Sequence, residues 1–175
     1  MPTVKYHTFI AASLDGYIAK KDGDIGFLTR FETEYEDYGY MSFYSGMDAI
    51  VMGSGTYLKA LSFGKWPYGD KRCIVCTKQK HQTAFNEELW HGSIVELNEK
   101  LEAEKIANAY VDGGQLISSF LRERMLASMT ISTIPVILGE GLPLFHQGLP
   151  ESRLELQSSH TFSSGLVQLK YNIKN

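Results

Sequence analysis

The sequence predicts an α/β domain built on a mostly parallel sheet flanked by helices, and three observations predict it. Short, nearly continuous apolar runs alternate with helical stretches through most of the chain, as in a sheet covered on both faces. Two of these runs lead into glycine-rich turns that open helices, Met52-Gly53-Ser54-Gly55-Thr56-Tyr57 and Asp112-Gly113-Gly114-Gln115-Leu116-Ile117. The tail then switches to strict alternation, the mark of an antiparallel β-hairpin at the sheet's edge.

The elements follow in order. Val4 to Ala12 is apolar and β-prone and is expected as the first strand. Ser13 to Arg30, with Gly16, Gly23 and Gly26, is expected to be mostly loop. Glu32 to Tyr44 interleaves aromatic residues with carboxylates and predicts an amphipathic helix, acidic near its start. Asp48 to Met52 predicts a buried strand, and the glycine turn after it opens a short helix around Tyr57 to Leu61. Gly64, Pro67 and Gly69 make Ser62 to Lys71 a loop. Strands are expected at Arg72–Thr77 and Ser93–Leu97, with a helix over Asn98–Ile106. Ala109 to Asp112 predicts a strand, Gln115 to Arg124 a helix, and Met129 to Leu138 a β-branched strand. In the tail, Leu154 and Leu156 share one strand face and Val167, Leu169, Tyr171 and Ile173 share another, with Ser164-Gly165 as the turn.

No repeat or break in composition divides the 175 residues, so one domain over 1–175 is expected. No apolar run approaches the roughly 20 residues that span a bilayer. The start, Met1-Pro2-Thr3-Val4-Lys5, lacks the layout of a signal peptide. A net charge of −3 offers no footprint for nucleic acid or an anionic membrane. The expectation is a cytoplasmic protein acting on a small molecule. Cys73 and Cys76 spell C-x-x-C, but on one strand residues three apart point to opposite faces, so free thiols are expected. The five histidines (His7, His81, His91, His146 and His160) show no metal-ligand spacing, and no metal is expected.

The glycine turns are where chemistry is expected. A helix N-terminus exposes unpaired N–H groups and partial positive charge, and glycine lets a phosphate approach them closely. Two such termini on the carboxyl edge of one sheet could hold a dinucleotide's pyrophosphate. Neither is a Rossmann fingerprint, since Leu58 stands where a third glycine belongs, and no P-loop Lys-Ser/Thr follows. A strand–glycine–helix junction taken singly is more often plain geometry.

Five segments in register carry a resemblance. They are Ala11-Ala12-Ser13-Leu14-Asp15-Gly16-Tyr17-Ile18-Ala19, Met52 to Tyr57, Trp66-Pro67-Tyr68, Val111-Asp112-Gly113-Gly114, and Pro135 to Phe145 with its Pro-x-x-x-Gly-x-Gly loop. Together they resemble the dihydrofolate reductase-like superfamily, and most of all the reductase domain of the bifunctional riboflavin-biosynthesis deaminase/reductase. The resemblance implies NADPH as cofactor. Ala12, Ile18 and Ala19 would border the nicotinamide, and Gly53, Ser54, Gly55 and Thr56 would meet the pyrophosphate. Thr77 and Lys78 would lie near the 2′-phosphate, and Gly113, Gly114, Gln115, Leu116 and Ile117 would close the other side. Ser54 replaces the family's arginine and removes a bidentate clamp, so preference for NADPH rests on Lys78, with Arg72 and Lys80 as further cations.

Hydride transfer also needs a proton source. Asp15 and Glu34 are the candidate catalytic carboxylates, with Asp37 an alternative on the same predicted helix. Asp112 is placed either to orient substrate or to hold the loop's amides. The implied activity is an NADPH-dependent reduction of a small heterocycle, as by 5-amino-6-(5-phosphoribosylamino)uracil reductase. A dihydrofolate or pteridine reductase and a non-catalytic NADP-binding module are the alternatives. A homodimer is expected from the family, through the face of Met129–Leu138 or of the final hairpin.

Overall fold

The computed structural model describes residues 3–31, 35–80 and 82–174. The strands are β1 (Lys5–Ser13), β2 (Tyr17–Ala19), β3 (Ala49–Gly53), β4 (Arg72–Cys76), β5 (Glu88–Trp90), β6 (Asn108–Asp112), β7 (Leu126–Ile134), β8 (Leu142–Pro143), β9 (Arg153–Thr161) and β10 (Val167–Lys174). The helices are α1 (Gly26–Thr29), α2 (Tyr40–Ser45), α3 (Ser54–Leu61), α4 (Ile94–Ala103) and α5 (Gly114–Arg122). Eight strands form one sheet in the order β5-β4-β3-β6-β1-β7-β10-β9, and β2 pairs with β8 in a small antiparallel sheet. Every pairing from β5 across to β7 is parallel, whereas β10 runs antiparallel to both β7 and β9. The expected mostly parallel sheet with a C-terminal hairpin is what the chain forms.

Alternation along the strands sorts side chains into two cores. Tyr6, Ile10, Val51, Ile74 and Val111 pack with α4 and α5 on one face. Ile50, Met52, Cys73, Val75 and Tyr110 pack with Tyr57 and Ala60 of α3 on the other. Cys73 thus belongs to one face and Cys76 to the other, and both thiols are free. Burial pushes both up to about 12. At 25 cal/mol per Å² of apolar surface, each fully buried Ile or Leu in these layers contributes roughly 1.5–3 kcal/mol.

The strand expected over Met129–Leu138 runs over Leu126–Ile134, the helix expected over Asn98–Ile106 runs over Ile94–Ala103, and two further elements differ in kind or extent. The helix expected over Glu32–Tyr44 is confined to Tyr40–Ser45, and residues 32–34 lie outside the described residues. Gly39 sits before it at φ 81°, a left-handed conformation that stops a helix extending backwards. Asp37 accepts from the amides of Gly39 and Met41, both at 2.9 Å, and fixes that start. The strand expected at Ser93–Leu97 is instead the first turn of α4. Ser93 Oγ accepts from the Glu96 amide at 3.2 Å, while the Glu96 carboxylate accepts from the Ser93 amide at 2.7 Å. This reciprocal cap overrides the β-branched Ile94-Val95 pair.

The connections set up a crevice. From β3 the chain leaves through α3 on one face, and from the neighbouring β6 it leaves through α5 on the opposite face. Adjacent parallel strands whose helices depart to opposite sides leave a gap at their carboxyl ends, where open α/β sheets bind ligands.

Candidate functional site

Both glycine turns lie at this crevice, and they touch. Gly113 has φ 102°, and a Cβ there would stand 2.7 Å from Thr56 Oγ1. The second turn therefore abuts the first only because position 113 carries no side chain. Gly114 is held as closely from the other side. A Cβ on it would collide with the Pro143 carbonyl and lie 3.0 Å from the Leu144 carbonyl. The Gly139–Gly148 loop is thereby folded onto the start of α5, and Leu144 N donates to Gly16 O at 2.8 Å to complete the tie.

The helix starts differ in access. Gly53 precedes α3 in extended backbone with no side-chain cap, and a Cβ at Gly53 or Gly55 would meet nothing within 4 Å. The first turn of α3 thus has no capping side chain and has room beside its glycines, as a phosphate requires. The start of α5 also lacks a side-chain cap, but Leu116 and Ile117 are core residues. Ile117 N donates within the helix to Gly113 O at 2.9 Å. Only the amides at the very start of α5, Gln115 among them, remain for a ligand.

Among the expected cofactor residues, Ile18, Ala19, Gly55, Thr56 and Gly113 line one cleft of about 770 Å³. Gly53 and Ser54 stand at the adjoining start of α3. Ala12 belongs to the core on the α5 face. Thr77 follows β4 at the same sheet edge and is turned inward, its Oγ1 accepting from the Gln79 amide at 3.0 Å. Lys78 is exposed and makes no ion pair among the described residues, and the same holds for Lys80. Arg72 is not available as a further cation. It begins β4 at the opposite edge and is paired with Glu88 at 2.9 Å and with Glu104.

The carboxylates separate clearly. Asp15 is not among the residues lining the cleft. It accepts from Ser13 Oγ at 2.6 Å and from the amides of Leu138 and Gly139 at 3.1 and 2.7 Å, tying the exit of β1 to the loop after β7. Those hydrogen bonds, the Ser13 hydroxyl first, hold its carboxyl below the usual range. Glu34 lies outside the described residues. Asp37 is occupied as the cap of α2.

Two carboxylates line the cleft, Asp22 on the loop before α1 and Asp112 beside the second glycine turn. Asp112 ends β6, immediately before Gly113. Burial pushes it up to about 6, against the opposing pull of the Gly113 amide and the Tyr68 and Tyr110 hydroxyls. The Tyr68 hydroxyl lies 3.4 Å from its Oδ2. Tyr110, beneath, donates to the Phe9 carbonyl at 2.9 Å. A half-buried carboxyl raised toward neutrality in a cleft can both hold and release a proton. The sequence alone sets Asp112 beside the glycine turn, but the Tyr68 contact spans 44 positions and leaves no local signal.

Among the described residues no group of His, Cys, Asp and Glu could hold a metal ion, and no helix is long and apolar enough to cross a membrane.

Comparison with known proteins bears on this geometry. The family model described as the RibD C-terminal domain matches residues 5–168. The uncharacterized protein YwjB of Bacillus subtilis (strain 168) is 39% identical over 172 residues, covering 93% of this chain and 94% of its own. A crystal structure of a putative riboflavin biosynthesis protein from Shewanella sp. PV-4 superposes with a TM-score of 0.91 at 31% identity, over 98% of this chain and 100% of the other. The riboflavin biosynthesis reductase Rib7 of Saccharomyces cerevisiae shares the fold at a TM-score of 0.67 and 17% identity, over 99% of this chain and 91% of its own.

Proposed function

The chain belongs to the RibD C-terminal domain family, and from that membership we propose that it is a pyridine-nucleotide-dependent reductase of a small heterocyclic or carbonyl compound in the cytoplasm. The observation that carries the proposal is the convergence of the open start of α3, the abutting Gly113 and the half-buried Asp112 on one cleft.

The residues present fit NADPH. Gly53 and Gly55 leave the space a phosphate would fill, and the amides of α3's first turn would bind the pyrophosphate with the helix dipole behind them. Lys78 would meet the 2′-phosphate, a role for which its lack of an ion pair leaves it available. Ile18 and Ala19, from the strand that β8 pins, would border the nicotinamide. When bound, NADPH supplies a hydride. Asp112 carries the proton chemistry: protonated, it donates to the nitrogen or oxygen that gains charge as the hydride arrives, and Tyr68 orients it. Partial burial raises its carboxyl, so that a fraction carries the proton it would donate.

The reference substrate is 5-amino-6-(5-phosphoribosylamino)uracil, the compound named for the reductase activity of a Thermotoga maritima deaminase/reductase that shares the fold at 18% identity. Membership also supports a homodimer. Strand β9 is exposed along all nine residues and leaves Leu154 and Leu156 uncovered at the sheet's edge, which suits a second copy. Cofactor-dependent loss of absorbance at 340 nm across pteridines, aminouracils and conjugated carbonyl compounds tests the reading. Turnover in wild type that is lost in Asp112→Asn supports it, and NADPH binding without turnover of any of them favours the non-catalytic module.

A further inference from the structure

The cleft that ends on Asp112 is apolar where it opens. Leu58, Phe63 and Leu142 line it while remaining 51%, 53% and 44% exposed. Large apolar side chains held in water around a concavity mark a surface that a ligand covers. Farther in, Phe9, Ile25 and Leu28 continue the apolar lining. Beside this apolar lining, Tyr68 meets Asp112 and offers a hydrogen-bonding edge.

The charges along the cleft balance. Lys21 lines it but is paired with Glu140 at 2.5 Å. Lys59 lines it without an ion pair among the described residues, and Asp22 and Asp112 line it too. A phosphoryl group with nearly two negative charges is held by several cationic donors, commonly a bidentate arginine. With the start of α3 given to the cofactor's pyrophosphate, a substrate phosphoryl group would meet Lys59 and the already paired Lys21 against two carboxylates.

Resting on the reductase reading for its chemistry, we propose that the cleft takes an uncharged, flat heteroaromatic or conjugated carbonyl compound that carries no phosphoryl group. Its ring lies against Leu58 and Phe63, and its hydrogen-bonding edge meets Asp112. In the reaction the electron-poor carbon of a C=N or C=O bond gains hydride from NADPH. The nitrogen or oxygen gains a proton from Asp112, which is reprotonated from water. The substrate is reduced by two electrons and NADPH leaves as NADP⁺.

The test is a matched pair of probes, 5-amino-6-(5-phosphoribosylamino)uracil and the same compound without its phosphate. Each is titrated into the cofactor-free protein by calorimetry and by tryptophan fluorescence, since Trp66 packs on Tyr68 at 5.2 Å between ring centres. The unphosphorylated compound is expected to bind at least about tenfold more tightly, the effect of ~1.4 kcal/mol. Leu58→Ser and Phe63→Ser, both at exposed positions that leave the core intact, are expected to weaken it by about tenfold each, and Lys59→Gln by less than about twofold. Equal or tighter binding of the phosphorylated compound, or no binding of the unphosphorylated one, overturns the proposal. A parallel NADPH titration keeps the two readings apart. NADPH binding with a preference for the phosphate overturns the substrate class alone, and an uncharged ligand that binds where NADPH does not overturns the reductase reading alone.

Discussion

The Tyr68 hydroxyl stands 3.4 Å from Oδ2 of Asp112, at the polar end of a cleft whose mouth is apolar. Tyr68 is itself buried, and it reaches Asp112 from the loop between α3 and β4. The pair joins that loop to the end of β6, directly beside the glycine turn. Position on the sheet edge, partial burial and access to the cleft coincide at Asp112.

Replacing Asp112 separates its catalytic and energetic roles. Asp112→Asn is expected to lower kcat by about 10²–10⁴ while NADPH affinity stays within a few fold. The same change is expected to stabilise the protein at alkaline pH. Asp112 titrates near 6 in the fold against an ordinary value of 3.8, so the folded state holds the proton over that interval. Stability present below the lower value is lost as pH rises through the upper one, by about 1.4 kcal/mol for each pH unit that separates the two. Thermal melts should therefore show the variant gaining on wild type at pH 8 and losing that advantage near pH 4.

The two glycine turns should respond differently to a methyl group. Gly53→Ala meets open space at an ordinary φ of −80°, and is expected to change stability by no more than about 0.5 kcal/mol while weakening NADPH binding. Gly114→Ala drives a Cβ into the Pro143 carbonyl. It is expected to cost about 1–3 kcal/mol in urea denaturation.

Tyr57 and Glu87 anchor the segment that follows Lys78. The Tyr57 hydroxyl donates to Glu87 at 2.5 Å, and the amides of Ala84 and Phe85 donate to the same carboxylate at 2.6 and 2.8 Å. Burial pushes Glu87 up, but these donors together leave it below the usual range. Its contribution is present above the ordinary carboxylate value and is lost as pH falls through the depressed one. Tyr57→Phe is expected to cost about 1–3 kcal/mol at neutral pH, with a smaller loss in acid, measured by denaturation at several pH values.

Ser93→Ala removes half of the reciprocal cap on α4 and is expected to cost about 1 kcal/mol. Hydrogen exchange should locate the loss in the first turn of α4 and leave β3 and β6 protected.

Much of this architecture is legible in the sequence because it rests on short-range pattern. The strands ending at Gly53 and Asp112 are continuous apolar runs, and the hairpin pairs Leu156 with Tyr171 and Leu154 with Ile173 as alternation requires. At Ser93 a local signal is present, the Ser-x-x-Glu spacing, but the β-branched residues between mask it. The shortened α2 follows from Gly39. The site is legible as glycine turns but not as a cleft. Whether Asp15 or Asp112 lines it depends on Leu138, Gly139 and Tyr68, which arrive from distant segments. Leu58 and Phe63 read as ordinary helix and loop residues until residues of α3, β2 and α1 come together around one cleft.

Everything proposed for the reaction depends on the cleft bounded by Gly53–Thr56 and Gly113 holding a reduced nicotinamide dinucleotide. The decisive measurement is a titration of the protein with NADPH and NADH, following nicotinamide fluorescence and thermal stability together. Saturable NADPH binding is expected, tighter than NADH and weakened toward NADH in Lys78→Gln, with about 2.7 kcal/mol of added stability at a hundredfold excess over Kd. Unchanged fluorescence and an unshifted Tm with both dinucleotides would show that the cleft does not bind them.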